Sequence, residues 1–432
     1  MRKRALVKDE VLPKRFTEIE KKTISECVSC GICVDVCPCI PISKLRNVES
    51  TEISQKVKEF LDGGPLTDIV IERAFTCSRC GICINICPVG IDAYNLQQAL
   101  RSRILARGNR HLTLNQIKIG GRTWDDFDFD DILASIQIKP NERRWIDDIP
   151  EHVQQKDTLL FLGCYTRRYV DKINVTLDVL KKLNINFITI GGGRICCGAR
   201  AQAIGKLHEA DKQGLKLIST LARYKPKEVL VICPACTYMM KKEIPKIIDI
   251  PSKVRHVFEL MVEGLGQLHF TQAVNKTVAY HDPCKLSKMC GDYRSARELL
   301  KAIPGVKLIE MLHDKEKSNC CGGTSWRFNP NYARILRKTI MDKVKNAKVD
   351  VLATACLVCY ISFCDIIGEY PYEIYDVIEV VGEGLGIKYE NKLLKYRRYH
   401  NPDRVVEETK DYIKASTYSI NEMRELLPAL IP

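Results

Sequence analysis

The chain has 432 residues, 45% of them hydrophobic, which is enough for more than one buried core and argues against a single domain. It starts Met-Arg-Lys-Arg without the apolar segment of a secretory leader, and its longest apolar run, Val351 to Cys364, falls short of the roughly 18–20 residues that span a bilayer, so a cytoplasmic protein is expected. The net charge of +14 is spread along the chain with no nucleic-acid-binding motif; it reads as solvated faces plus a docking surface for an acidic partner or anionic membrane surface, and no nucleic-acid partner is expected.

Residues 1–26 form a charged lead-in, helix-like over Lys14 to Lys21, to Cys27, Cys30, Cys33 and Cys37, the last followed by Pro38. The same run returns as Cys77, Cys80, Cys83 and Cys87, followed by Pro88. This is the spacing of bacterial two-cluster ferredoxins, in which the fourth cysteine of each run ligates the other cluster. One cubane [4Fe-4S] cluster is therefore expected on Cys27, Cys30, Cys33 and Cys87, and a second on Cys77, Cys80, Cys83 and Cys37. Between the runs, helices are predicted over Ser54 to Leu61 and Leu66 to Phe75, broken at Asp62-Gly63-Gly64-Pro65. Zinc is disfavoured, because a tetrahedral site would use only part of each run and no histidine completes it.

The stretch Trp124 to Asp131 is acidic and aromatic, and reads as a helix cap and connector. Beyond Thr158 the pattern alternates between strands and helices. The apolar runs Leu159 to Gly163, Val229 to Ile232, Thr277 to Tyr280 and Val349 to Ala355 each read as a buried parallel strand, and each leads to a cysteine. Ten of the 21 cysteines form one pattern written twice. Cys164, Cys196, Cys197, Cys233 and Cys236 make the first copy; Cys284, Cys320, Cys321, Cys356 and Cys359 make the second. Cys164 and Cys284, which open the copies, are 120 residues apart, an offset shared by the Glu-Gly-Leu-Gly at Glu263 and at Glu383. Cysteines at strand ends match the place where open α/β sheets bind ligands. In a large chain without a leader they point to metal rather than disulfides.

A two-cluster ferredoxin run followed by this doubled pattern resembles the CCG-domain iron–sulfur proteins, and among them the D-type subunits of heterodisulfide reductases, from about Cys27 to Gly386. The resemblance implies an α+β chain. A helical ferredoxin-like domain (1–105) leads through a connector (106–156) to two repeated α/β CCG domains with pseudo-two-fold symmetry (157–270 and 271–390) and a helical extension (391–432). It further implies a noncubane [4Fe-4S] cluster on each five-cysteine set, with a disulfide cleaved between them. The partners implied are a small thiol or disulfide substrate and a protein electron donor or acceptor, either a membrane cytochrome b-like subunit or a soluble flavoprotein. A place on the inner face of a membrane would come through that partner. The alternative class is a noncatalytic electron-transfer subunit of a flavin-dependent glycerol 3-phosphate, glycolate or lactate dehydrogenase feeding a quinone pool.

The chain departs from the family where His281-Asp282-Pro283-Cys284 is followed by Lys285 rather than histidine, and where Gly198-Ala199-Arg200 and Gly322-Gly323-Thr324-Ser325-Trp326 follow the paired cysteines. Lys285, Arg200, Arg194 and Trp326 are the side chains to watch for substrate contacts, the cations suiting a carboxylate or phosphate. Cys39, Cys290 and Cys364 fall outside the ligand sets and read as buried thiols. His281 reads as a structural hydrogen-bonding group at a turn. Gly191-Gly192-Gly193 lacks Walker spacing and reads as shaping the approach to Cys196.

Overall fold

The structure, a computed structural model, describes residues 12–108, 129–142, 155–191, 195–311 and 315–431. Trp124 to Asp128, Gly192, Gly193 and Arg194 lie outside the described residues. Five helices build the N-terminal part: α1 (Lys14–Glu26), α2 (Ile32–Asp35), α3 (Ser50–Leu61), α4 (Asp68–Thr76) and α5 (Ala93–Ala106). The helix-like part of the charged lead-in is α1, with Phe16 completely buried. The two linker helices are present, and α4 starts later than expected because Thr67 caps it, its side chain accepting from Val70 N. Helix α5 is capped by Asp92 and buried on nearly all sides, as befits a helix placed between this part and the sheets.

Two four-stranded parallel sheets follow, in orders β2-β1-β3-β4 and β6-β5-β7-β8. The strands are β1 (Thr158–Phe161), β2 (Phe187–Ile190), β3 (Glu228–Val231), β4 (Lys253–His256), β5 (Lys276–His281), β6 (Val306–Ile309), β7 (Val351–Thr354) and β8 (Glu373–Asp376). The four predicted apolar runs are β1, β3, β5 and β7, the inner strands. The structure adds β2, β4, β6 and β8, all at sheet edges, where one side faces solvent and segments such as Lys253-Val254-Arg255-His256 carry no continuous apolar run.

The repeats pack reciprocally. Helix Val257–Glu263, after β4, packs on Ser295–Ala302, which follows β5; helix Val377–Gly384, after β8, packs on Val170–Lys182, which follows β1. This exchange of equivalent helices is the signature of a two-fold relation. One core runs through both repeats, from Leu160, Leu230 and Phe258 to Val278, Val351 and Val381. A second core joins the later repeat to the terminal helices and to helix Phe129–Ser135, through Phe363, Tyr396, Val405 and Ile132. The Glu-Gly-Leu-Gly repeat has a packing cause, since a Cβ on Gly264 would stand 2.6 Å from Leu183 and one on Gly384 2.8 Å from Ile303. No helix among the described residues is long and apolar enough to cross a membrane.

Where the repeats meet, Lys172 is buried with its Nζ 2.6 Å from both Asp171 and Glu379, beside the capping carboxylate of Asp376. Burial raises the Asp376 pKa to about 7, against the pull of the Ile378 N–H and Lys172. The folded state therefore holds a proton that the unfolded chain releases near its ordinary value of 3.8. This contribution to stability is complete below that value and is lost as pH rises through about 7. Asp376→Asn, which can still cap the helix, should flatten the fall in thermal stability between pH 4 and 7, as followed by calorimetry.

Candidate iron–sulfur centres

Each ferredoxin-like run begins at a helix end, with Cys27 closing α1 and Cys77 closing α4. Both runs then pass through two left-handed residues, Ser29 and Gly31 in the first and Arg79 and Gly81 in the second. That pair of turns coils three cysteines around one point, and glycine is needed because a Cβ on Gly31 would stand 2.7 Å from Ser50 Cβ. Cys33 has its thiol pushed up by burial and by neighbouring Cys27, Cys30 and Cys87, with Arg73 opposing. Cys83 is pushed up by burial and by Cys77, Cys80 and Cys37, again with Arg73 opposing. The fourth cysteine of each run thus stands beside the other run. Cys39, fully buried, hydrogen-bonds Cys37.

The surroundings of these cysteines suit a buried anion. Arg73, Arg79 and Arg101 are all but fully buried, and none has a carboxylate ion-pair partner among the described residues. Arg73 donates to Cys37 Sγ at 3.6 Å and to Cys33 O at 3.3 Å. Arg79 reaches Ala199 O, Tyr94 Oη and Gln202 Oε1 at 3.3, 2.7 and 2.5 Å. Arg101 donates to Ala74 O, Ala203 O and Cys77 O at 2.8, 2.5 and 2.6 Å. Three guanidinium groups taken out of water need negative charge nearby, which metal-bound thiolates supply. Sequence reading missed these residues because arginine ordinarily marks a solvated face. The available signal was position, with Arg79 inside the second CxxC and Arg73 one helical turn before Cys77.

The five-cysteine sets lie at the C-terminal ends of the inner strands. Cys233 and Cys356 each come two residues after β3 and β7, and Cys164 and Cys284 three residues after β1 and β5. In the first set Cys164 Sγ and Cys196 Sγ are 4.0 Å apart, and Cys197 bonds both Cys196 and Cys236, which hold its thiol down at about 6 against burial. Cys233 bonds Cys236. In the second set Cys321 bonds Cys320 and Cys359 and is held well below the usual thiol range, with His281 contributing. Cys356 bonds Cys359, and Cys284 lies within electrostatic reach of Cys321 and Cys356. All ten predicted cysteines are thus gathered into two groups of five. Burial pushes Cys80, of the second ferredoxin-like run, up to about 12, with Cys37 and Cys284 adding to the rise. Cys80 also acts on Cys320. The second run therefore borders the second five-cysteine set through Cys80, while its Arg79 reaches the first repeat at Ala199 and Gln202.

The glycine after each cysteine pair has a steric cause. Gly198 and Gly322 have φ of 83° and 74°, and an added Cβ would stand 2.3 Å from Ala210 O and 2.7 Å from Ala333 O. Their N–H groups donate to Cys196 Sγ at 3.4 Å and Cys320 Sγ at 3.3 Å. Gly198→Ala should cost about 1–3 kcal/mol locally and release iron from the first five-cysteine site alone, as read by iron content and EPR of the purified variant.

The side chains watched for substrate contacts part company. Arg200 lies beside Cys164, half-buried, and pairs with Asp130 at 2.7 Å. Asp130, from the acidic connector, also holds Arg168, so this end of the connector packs beside the first site. Trp326 is exposed on the turn Ser325–Arg327. Lys285 turns inward, its Nζ bonding Tyr94 Oη and lying 4.4 Å from the ring centroids of both Tyr94 and Tyr238. It ties the second set to α5 rather than facing an open cleft. Burial and then Arg79 lower its pKa to about 7. Cys290 is half-buried rather than buried, against the core that includes Cys197, Cys233 and Cys236, and Cys364 is buried near Lys172 and Tyr360.

Comparison with known proteins bears on the same segments. The cysteine-rich domain family, CCG, matches residues 158–241 and 278–364, and the 4Fe-4S dicluster domain family matches residues 23–91. The chain is 26% identical over 87% of its length, and 97% of the relative's, to the D-type subunit of the dihydromethanophenazine:CoB–CoM heterodisulfide reductase of Methanosarcina mazei. It is 25% identical to an EtfAB:quinone oxidoreductase of Syntrophomonas wolfei, over 56% of this chain and 36% of that one. It is also 25% identical to the B-type subunit of the fumarate reductase (CoM/CoB) of Methanothermobacter marburgensis, over 48% and 41%. With a helical dicluster region leading into two cysteine-rich repeats of matching topology, the chain carries two CCG domains behind a 4Fe-4S dicluster domain and is similar to the D-type subunits of heterodisulfide reductases.

Proposed function

We propose that this chain is the disulfide-reducing subunit of a larger redox complex. Cys27, Cys30, Cys33 and Cys87 would hold one cubane [4Fe-4S] cluster, and Cys77, Cys80, Cys83 and Cys37 the other. Cys164, Cys196, Cys197, Cys233 and Cys236 would hold the first noncubane cluster, and Cys284, Cys320, Cys321, Cys356 and Cys359 the second. The cubanes supply one-electron transfer, and five thiolates in place of four allow an opened cluster with room for substrate sulfur. The observation that carries this reading is the completeness of both five-cysteine groups, together with Cys80 standing beside Cys284 and Cys320.

The chain's own residues divide the remaining work. Cys30 is exposed, with Val28 beside it 65% exposed, so the first run offers the face to a redox partner, a cytochrome b-like membrane subunit or a soluble flavoprotein. Arg73, on the helix α4 that leads into the second run, bonds Cys33 O and Cys37 Sγ of the first and so ties the two runs together. Arg200 beside Cys164 offers a guanidinium for the carboxylate, phosphate or sulfonate of a thiol coenzyme. Cleavage takes two electrons and two protons per disulfide and yields two thiols. The Methanosarcina relative's name, with its heterodisulfide of two coenzymes, supports a mixed disulfide as the substrate class.

The likeness to the Syntrophomonas quinone oxidoreductase favours a second reading, a subunit that passes electrons towards a quinone without touching a disulfide. EPR of the oxidised, anaerobically purified protein separates the two. Disulfide chemistry predicts a new paramagnetic signal on adding a cognate thiol. No thiol-dependent signal in the oxidised protein, with cubane signals appearing only after reduction and unchanged by any thiol, would leave electron transfer alone as the answer.

A further inference from the structure

The repeats match in topology and in all five cysteine positions, but not in what lies against the sulfurs. In the first, Phe161 pairs with Val231, two residues before Cys233; in the second, His281 pairs with Thr354, two residues before Cys356. Each closes its strand three residues before the first cysteine of its set. Phe161 and His281 therefore occupy one equivalent position, buried in both repeats. The first repeat places a ring without a polar atom there. The second places an imidazole whose nitrogen lies within 4.8 Å of both Cys321 Sγ and Cys359 Sγ. The imidazole is fixed from the side by Phe363, edge-on with centroids 5.1 Å apart at 90°. Thr354 Oγ1 donates to the His281 carbonyl at 3.3 Å, pinning the backbone.

We propose that His281 donates its ring N–H to the sulfur of Cys321 and makes the second five-cysteine site a stronger electron acceptor than it would be without that donor, Phe161 leaving Cys197 of the first without an imidazole at the equivalent position. A hydrogen bond to a ligating sulfur withdraws electron density and favours the reduced form, and burial strengthens it. The neighbouring relay agrees, because Cys80 stands beside Cys284 and Cys320 of this same set. The two halves of a bound disulfide then meet sites whose sulfurs have different surroundings. His281 acts here as a positioning and tuning residue. The inference rests on the reading that each five-cysteine set holds a cluster.

The test is a redox titration of the anaerobic holoprotein followed by EPR, with iron content measured alongside, for the unsubstituted chain, His281→Phe, His281→Gln and Phe161→His. Repeating it in Cys197→Ala protein identifies which centre moves. The expected result is unchanged iron in His281→Phe, with the second site's midpoint moved to lower potential and the cubanes unmoved. His281→Gln, which keeps an N–H donor, should recover part of the shift. Phe161→His should raise the first site. Unmoved midpoints in both His281 variants would overturn the proposal; so would loss of the second site's iron in both, which would make His281 a ligand instead. Absence of any noncubane centre from the unsubstituted protein would overturn the cluster reading itself, a failure the iron content and EPR of that protein reveal separately.

Discussion

A Cys321→Ala protein should keep the iron and the reduced-cubane EPR signals of both ferredoxin-like runs and lose disulfide-reducing activity completely. Cys321 is the hub of its group, bonding Cys320 and Cys359 and lying against His281, so its removal takes away the thiolate the surroundings favour most. The cysteines proposed to hold the cubanes stand on other elements, the ends of α1 and α4 and the turns after them. Cys197→Ala should behave in the same way at the first site, since Cys197 bonds Cys196 and Cys236 there. Iron quantitation, EPR and turnover on one preparation check the expectation. Loss of all clusters together would mean that the cysteine supports the fold as a whole.

The second large effect is structural. Arg101 is completely buried, lies 5.7 Å from the ring centroid of Phe75 and 4.7 Å from that of Phe328, and donates to carbonyls from α4, from the second ferredoxin-like run and from the first repeat. Arg101→Met fills much of the volume but leaves three buried acceptors without a donor, and each unsatisfied group costs about 1–3 kcal/mol. A loss of about 3–5 kcal/mol is expected, the range for breaking a buried charged network. It should appear as a separate early transition in anaerobic denaturation, because the N-terminal part loses its attachment to the first repeat. A midpoint within error of the unsubstituted protein would show that the junction is held elsewhere.

The sequence made the inner strands and the cysteine spacing legible for one reason: both obey short-range rules. A strand covered on both sides needs an unbroken apolar run, and β1, β3, β5 and β7 have one. The edge strands were not legible, since β4 alternates lysine, valine, arginine and histidine and acquires its partner only from the crossover. The cysteine groups were readable as sets because ligand spacing is a constraint on loops rather than on tertiary packing. Their environment was not. Arg73, Arg79 and Arg101 look like three of 67 basic residues until the fold places them against thiols and carbonyls. Part of the net charge of +14 is therefore internal, set against the cysteine groups rather than spread over a docking surface.

Two residues show the same limit from opposite sides. Lys285 stood out as a departure beside Cys284, and the fold turns it towards Tyr94 and Tyr238, away from an open site. His281 looked like a turn residue, and strand register aims it at Cys321 and Cys359. In each case the direction of a side chain depended on an element far away in sequence. Asp130 is a third instance, since its ion pairs with Arg168 and Arg200 cross 38 and 70 residues.

The most direct test of disulfide reduction is a single-turnover measurement. Anaerobic holoprotein, reduced by an artificial one-electron donor and freed of excess reductant, is mixed with a mixed disulfide of thiol coenzymes, and released thiols and cluster oxidation are followed together. Disulfide reduction at these centres predicts two thiols per disulfide consumed, appearing as the clusters reoxidise. It predicts neither thiol release nor cluster oxidation in the Cys321→Ala protein. Full reoxidation by a quinone analogue, with no thiol released from any disulfide offered, would contradict it.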